Sequence, residues 1–389
     1  MKQWLNGLVA LCVALLLGGT VLIAAQNPPP PEVRRPDPAP TLTPQPTATA
    51  LRPTPQVIAD FPESRQGMLM ATQPDGTLRI FAPNSDRSWV LKQPQQVAYA
   101  TWAPDGRHIA VATSDRTALV THPERQDSLA LLTEERRLAT STLSWKDPVT
   151  IALAYEDERA PATVALWSYR DGALRSIGSG RDPAAVYNGP VAWVALDRRS
   201  IVLKYDDTAP EVLISPQQLD AMFPSRQPDT TVEVAQLMSA PLVWSTNATQ
   251  LAFVAVTRNP NTVLSWAIVV VSPDGRLPQH WVLPSDSAVY QLGWYIDRLL
   301  FSDDHGINAI DPGADAPKLM LPQAPPARYF AINPLANGMF LSLPNGLARV
   351  PTTSLELPQT PLRSFGPAAQ DYQPLERCCV TLPRSGPGQ

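Results

Sequence analysis

Charge, histidine and cysteine are all scarce in this chain. Only 17% of its 389 residues are charged and the formal net charge is −4, so no basic patch is expected and there is no electrostatic case for nucleic-acid binding. Four histidines, His108, His122, His280 and His305, are spread through the chain without metal-ligand pairing. Three cysteines build no disulfide framework. Cys12 lies in an apolar segment. Cys378 and Cys379 are adjacent near the end, as incidental thiols or, in an oxidising compartment, as a vicinal or intermolecular disulfide. Glycine is outnumbered by proline, 19 to 44, and because each interior proline breaks a helix, the chain is not mainly helical. A Gly-x-Ser-x-Gly elbow is missing, since Ser179 in IGSGR has the wrong spacing. Phosphate loops and dinucleotide fingerprints are missing too.

What the chain does hold divides into four parts. Residues 1–26 form a candidate transmembrane or signal helix, with Lys2 ahead of an apolar run from Leu8 to Ala25. That run is about long enough to cross a bilayer core, which favours an uncleaved signal anchor; cleavage near Ile23-Ala24-Ala25 is the alternative. Either way the remainder is expected outside the cytoplasm, membrane-bound and single-pass, or else secreted or periplasmic. Residues 27–57 are Pro/Thr-rich and nearly free of large apolar side chains, which suits an extended, disordered linker. Residues 58–360 carry the folded body. From 361 to 389 a second Pro-rich stretch is expected to wrap the body or hang free.

The body repeats. In ATWAPDGRHIAVAT (100–113) a Trp precedes a Pro-Asp-Gly turn and an apolar strand. Proline presets the first turn position, aspartate bonds its own backbone, and glycine takes the left-handed position. Worn copies follow around Trp145, Trp193, Trp244 and Trp294, with Asn333 in that place in the last copy. The strands after these turns begin at Met68, Ile109, Ile151, Ile201, Leu251, Leu299 and Met339, at intervals of 40–50 residues. Several short strands at that period mark an all-β fold, a β-propeller of about seven, alternatively six, four-stranded blades. Seven blades need an inner strand from Val57–Phe61 or Leu362–Phe365. The unit WAPDGRHIAVATSD resembles the repeat of TolB-like, WD40-like bacterial propellers, well at 100–115 and loosely over 67–358. The resemblance implies an exported bacterial protein. The five repeat tryptophans are expected to pack between blades.

Functional signals are thinner. The loops after the repeat strands are acidic at Asp115, at Glu156-Asp157, at Asp206-Asp207 and at Asp303-Asp304. Gathered around a channel they would form a negative rim for a cation, Ca²⁺ included, or for a basic partner. As turn residues they need no such role. His108 is expected to face solvent, and His305 beside Asp303-Asp304 is the only His–carboxylate cluster in sequence. No catalytic residue and no cofactor stands out. The leading expectation is a membrane-tethered, extracytoplasmic propeller that binds a protein or ligand without catalysis. The alternative is a hydrolase or lyase acting on glycans or peptides through acidic residues at the channel.

Overall fold

The computed structural model describes residues 68–350 (74, 83–86, 92–95, 125–127, 133–135, 158–159, 225–228, 238, 261, 275–277, 285–286, 321–325, 334–337 and 344–345 excepted) and strands Arg363–Phe365 and Leu375–Arg377. The expected anchor (1–26), linker (27–57) and strand Val57–Phe61 lie outside the described residues. No helix among the described residues is long and apolar enough to cross a membrane.

Seven antiparallel sheets follow one another along the chain. Blades 2 to 7 begin with inner strands at Val97–Trp102, Arg137–Leu138 with Ser144–Trp145, Arg181–Ala185, Thr231–Val234 with Leu242–Trp244, Gln291–Tyr295 and Tyr329–Asn333. Blade 1 takes its inner strand, Leu375–Arg377, from the far end of the chain, paired with Leu69–Thr72 in the register Leu69↔Arg377, Met70↔Glu376 and Ala71↔Leu375. Each inner strand touches those of both neighbouring blades, and the series closes on itself around a central channel. Arg363–Phe365, one of the two segments expected to close the ring, pairs instead with Gly346–Val350 as the outer strand of blade 7. Two strands of the propeller therefore come from the stretch expected as a tail.

The cores lie between blades rather than within them. Seven hydrophobic clusters each join one blade to the next: Met70, Ile80 and Leu91 of blade 1 meet Trp102, Ile109 and Val111 of blade 2, and Leu69 and Phe81 meet Tyr329 and Phe340 of blade 7. A strand covered on both faces needs apolar side chains at consecutive positions. That accounts for runs such as Ile109–Thr113 and Leu251–Val256, buried throughout.

Tryptophan ties successive blades by direct bonds. The indole Nε1 of Trp145 donates to Thr101 O at 3.2 Å, that of Trp244 to Ala184 O at 3.0 Å, and that of Trp294 to Val243 O at 3.0 Å. Each acceptor lies on the inner strand of the preceding blade. All five repeat tryptophans pack between blades, as expected.

Blade 4 departs from the repeat. Trp193 stands on its second strand, Val191–Val194, not its first, and Ala185, paired with Val191, takes the place that Trp102 has opposite Ile109. Its first hairpin turns through Asn188-Gly189, with Gly189 N donating to Val186 O at 2.9 Å. The turn after Trp193 is made by Asp197, whose Oδ1 accepts from the N–H groups of Arg199 and Ser200 at 2.8 and 2.9 Å. Asp147 does the same for Val149 and Thr150 in blade 3. An aspartate turn is thus identical on either face of the propeller, and the repeat read in sequence slips by one strand in this blade.

Candidate functional site

Antiparallel strands place successive turns on alternate faces. One face holds the turns between inner and second strands. The other, the mouth face, holds the turns between second and third strands and the entries to the next blade. There, left-handed residues lock neighbours together: Gly76, Arg116 and Arg198 have φ of 76°, 71° and 57°. Their carbonyls accept from Val97 N, Leu138 N and Val234 N at 2.8, 2.7 and 2.7 Å.

The acidic rim does not assemble as expected. Asp115, Glu156, Asp157, Asp303 and Asp304 follow second strands and belong to the mouth face. Asp206 and Asp207 follow the third strand of the slipped blade 4 and lie on the opposite face. There Asp206 Oδ1 pairs with Lys146 Nζ at 3.0 Å, and Lys146 also donates to Gly189 O. The mouth-face carboxylates serve their own turns and neighbours. Asp115 accepts from Thr113 and is held below the usual carboxylate range chiefly by that hydroxyl. Glu156 pairs with Arg116, while at Asp157 it is the backbone carbonyl, not the carboxylate, that accepts from Ala160 N at 3.2 Å. Asp303, buried, accepts from His305 N and Gly306 N at 2.8 and 3.1 Å. Asp304 accepts from Ala288 N at 3.2 Å and from the Tyr290 hydroxyl.

Histidine pairing was invisible in the sequence. His108 and His122 come from two turns of blade 2, and their rings stand 4.8 Å apart, with Tyr169 of blade 3 at 5.3 Å from His108. The side chain of His108 is only 14% exposed, which corrects its expected solvent-facing position. Among the described residues no group of three or more His, Cys, Asp or Glu is arranged to hold a metal ion.

The site that the geometry does build is a cavity of about 760 Å³ at the mouth of the channel. It is walled by residues of blades 1 to 5, among them Gln73, Asp75, Gln96, Tyr99, Thr142 and Asp182. Its shape follows from irregular inner strands. Blade 2 shifts register between Val97 and Tyr99, and blade 4 between Arg181 and Ala184. In blades 3 and 5 the inner strand breaks in two, and Thr140–Thr142 and Gln236-Leu237, from the breaks, line the cavity. The inner strands of blades 6 and 7 keep an unbroken register. A strand that leaves its ladder frees space and re-aims side chains.

Asp182 is the residue that sequence reasoning missed. It sits in the blade 4 bulge with φ of 50°, in the left-handed region that aspartate enters more readily than most residues other than glycine. Pro183 follows it without needing a ladder donor. Asp182 is 8% exposed and its Oδ1 accepts the Thr142 hydroxyl at 3.0 Å. Burial raises its pKa above 3.8, against the opposing pull of Thr142, Thr140, Arg181 and Arg198. The other cavity carboxyl, Asp75, is exposed and is held below 3.8, first by its hydrogen bonds to Thr77. The sequence signal was Gly-Arg-Asp-Pro at 180–183, a glycine and a proline flanking a charged pair inside a strand.

A prediction follows from the sign of that shift. Above pH 3.8 the unfolded chain loses the Asp182 proton while the folded chain keeps it, so folding loses stability as pH rises towards the raised value and then levels off. Asp182→Asn removes this loss. Denaturant unfolding from about pH 3 to 8 is expected to show the variant gaining on the native chain above 3.8; a constant difference at every pH would refute the assignment.

No family model matches the chain, and no curated protein matches it. Among solved structures, dihydro-heme d1 dehydrogenase NirN in complex with DHE aligns with a TM-score of 0.50 at 11% identity, covering 86% of this chain and 79% of that one. Oligogalacturonate lyase from Vibrio parahaemolyticus aligns at 0.48 and 9%, covering 69% and 80%. The β-propeller domain of Cps50 (Swd1) from Myceliophteria thermophila aligns at 0.46 and 12%, covering 71% and 88%. At such identities the likeness is one of fold alone, and the seven blades are read from the sheets of this chain itself.

Proposed function

We propose that this chain is a binding propeller, tethered outside the cytoplasm by its N-terminal apolar segment, which takes a ligand or a segment of a partner protein into the channel-mouth cavity. The observation that carries the reading is the cavity itself: four irregular inner strands open about 760 Å³ and line it with amide and hydroxyl groups. A concave site with a few polar groups on its wall is what ligand recognition uses. The TolB-like character of the unit at 100–115 and the apolar run from Leu8 to Ala25 support an exported, bacterial setting. The test is crosslinking of the full-length protein in its native membranes, followed by mass spectrometry. A stoichiometric partner whose crosslinks map to residues 72–76, 96–99 and 139–142 is expected. Crosslinks confined to the opposite face would defeat the reading.

A hydrolase or lyase draws on one specific observation. Asp75 and Asp182 line the same cavity with pKa values displaced in opposite directions, the division of labour seen between a base and an acid. On this reading Asp182→Asn abolishes turnover of a glycan or peptide while leaving its binding intact.

A further inference from the structure

The charge inventory of the cavity narrows what it takes. Among the described residues lining it there are two carboxyl groups, Asp75 and Asp182, and no lysine, arginine or histidine. The remaining polar groups are neutral amides and hydroxyls, with the Tyr99 ring beside them. An anionic ligand would meet no lining cation. A neutral one could hydrogen-bond to Asp182 but would bring no positive charge to set against its carboxylate.

We propose that the ligand of this cavity carries an ammonium group, seated on the buried carboxyl of Asp182, with its other polar groups bonded by the glutamine and threonine side chains. The inference rests on the binding reading above and adds the ligand's chemistry to it. Exposed Asp75 stands where it draws a cation in. Bulged Asp182 lines the cavity, its carboxyl held by the Thr142 hydroxyl at 3.0 Å. The charged groups acting on Asp182 are Arg181 on its own strand and Arg198 on the next turn, and both act more weakly than burial does. An ammonium ion supplies the opposite charge that burial otherwise withholds. The Asp182 proton is then released to solvent as the ligand binds, and affinity rises with pH by up to about tenfold per unit until the raised pKa of the free cavity is passed.

The shared chemistry is a primary amine, and it has two ready sources, an amino sugar or a lysine side chain. The full-length chain in detergent is titrated calorimetrically with four probes: a glucosamine tetrasaccharide, its N-acetylated counterpart, N-terminally acetylated glycyl-lysyl-glycine amide, and the same blocked peptide acetylated on the lysine as well. One amine probe is expected to bind about tenfold or more tightly than its acetylated match, and which one it is identifies the source. Repeating the titration in steps from about pH 4 to 8 in buffers of different ionisation enthalpy is expected to show proton release by the native chain that fades once pH passes the raised Asp182 value. That measurement needs no variant. In Asp182→Asn both the preference and the release are expected to vanish. Equal affinity for amine and acetylated forms would overturn the ammonium inference while leaving the binding reading in place. If none of the four binds, the ammonium inference also falls, and the crosslinking result alone then decides the binding reading.

Discussion

A chain ended at Pro374 is expected to lose most of its resistance to denaturant. The removed strand, Leu375–Arg377, is the only described partner on the inner edge of Leu69–Thr72, and it touches the inner strands of both neighbouring blades. Without it blade 1 keeps three strands, the ring opens between blades 7 and 2, and Leu69–Thr72 presents an unpaired edge. Domains of this kind hold together by about 5–15 kcal/mol in total, so loss of closure and of the covered edge removes a large share. Urea unfolding should show a midpoint lowered by half or more, with aggregation through the open edge. Adding a synthetic peptide spanning residues 371–381 is expected to restore part of the midpoint. A truncated chain that unfolds like the intact one would mean the ring does not depend on this strand.

Gly180→Ala is expected to be the most damaging single-methyl change in the propeller. Gly180 has φ of 154°, and a Cβ added there would stand 2.4 Å from Trp193 Cδ1 and 2.4 Å from Val194 O. The indole has nowhere to go: Trp193 is 1% exposed, between Ala152, Val164 and Ile177 of blade 3 and its own blade. Its Nε1 donates to Ser179 O at 3.1 Å. Overpacking and backbone strain of this kind cost about 1–3 kcal/mol each, so a loss of about 3 kcal/mol or more is expected by thermal unfolding. A companion variant separates the two causes. At Gly178 the added Cβ meets only the Trp193 ring, 2.4 Å from Cζ2. Gly178→Ala should therefore be partly rescued by Trp193→Leu, whereas Gly180→Ala should not, because the Val194 carbonyl remains in its way. Equal rescue of both would show that the backbone contact is unimportant.

The two predictions bracket the part of the molecule where sequence and structure diverge. Trp193 was read as the third of the repeat tryptophans, and its turn as a copy of the Pro-Asp-Gly turn. Both readings are locally sound: the Asp197 turn bonds its backbone as the Asp147 turn does. The neighbouring blades decide otherwise. Ala184-Ala185 occupy the inner strand beside the Trp244 indole, which bonds Ala184 O at 3.0 Å. The slip then carries Asp206-Asp207 to the face opposite the other five acidic residues of the expected rim.

The sequence by itself determined the kind of fold. Alternation, aspartate and glycine turns, and a Trp-turn-strand unit recurring every 40–50 residues are local signals, because hydrogen bonding within a turn and burial on both faces of a short strand act over a few neighbouring residues. Seven blades were countable for the same reason. Only the tertiary structure decided which strand closes the ring, which face each turn occupies, and where a cavity opens. Those outcomes depend on contacts between residues far apart in the chain: Leu375–Arg377 with Leu69–Thr72, His108 with His122 across two turns, Thr142 with Asp182 across a blade boundary. The carboxyl of Asp182 owes its chemistry to burial at a cavity walled by five blades, and no run of sequence around it specifies that burial.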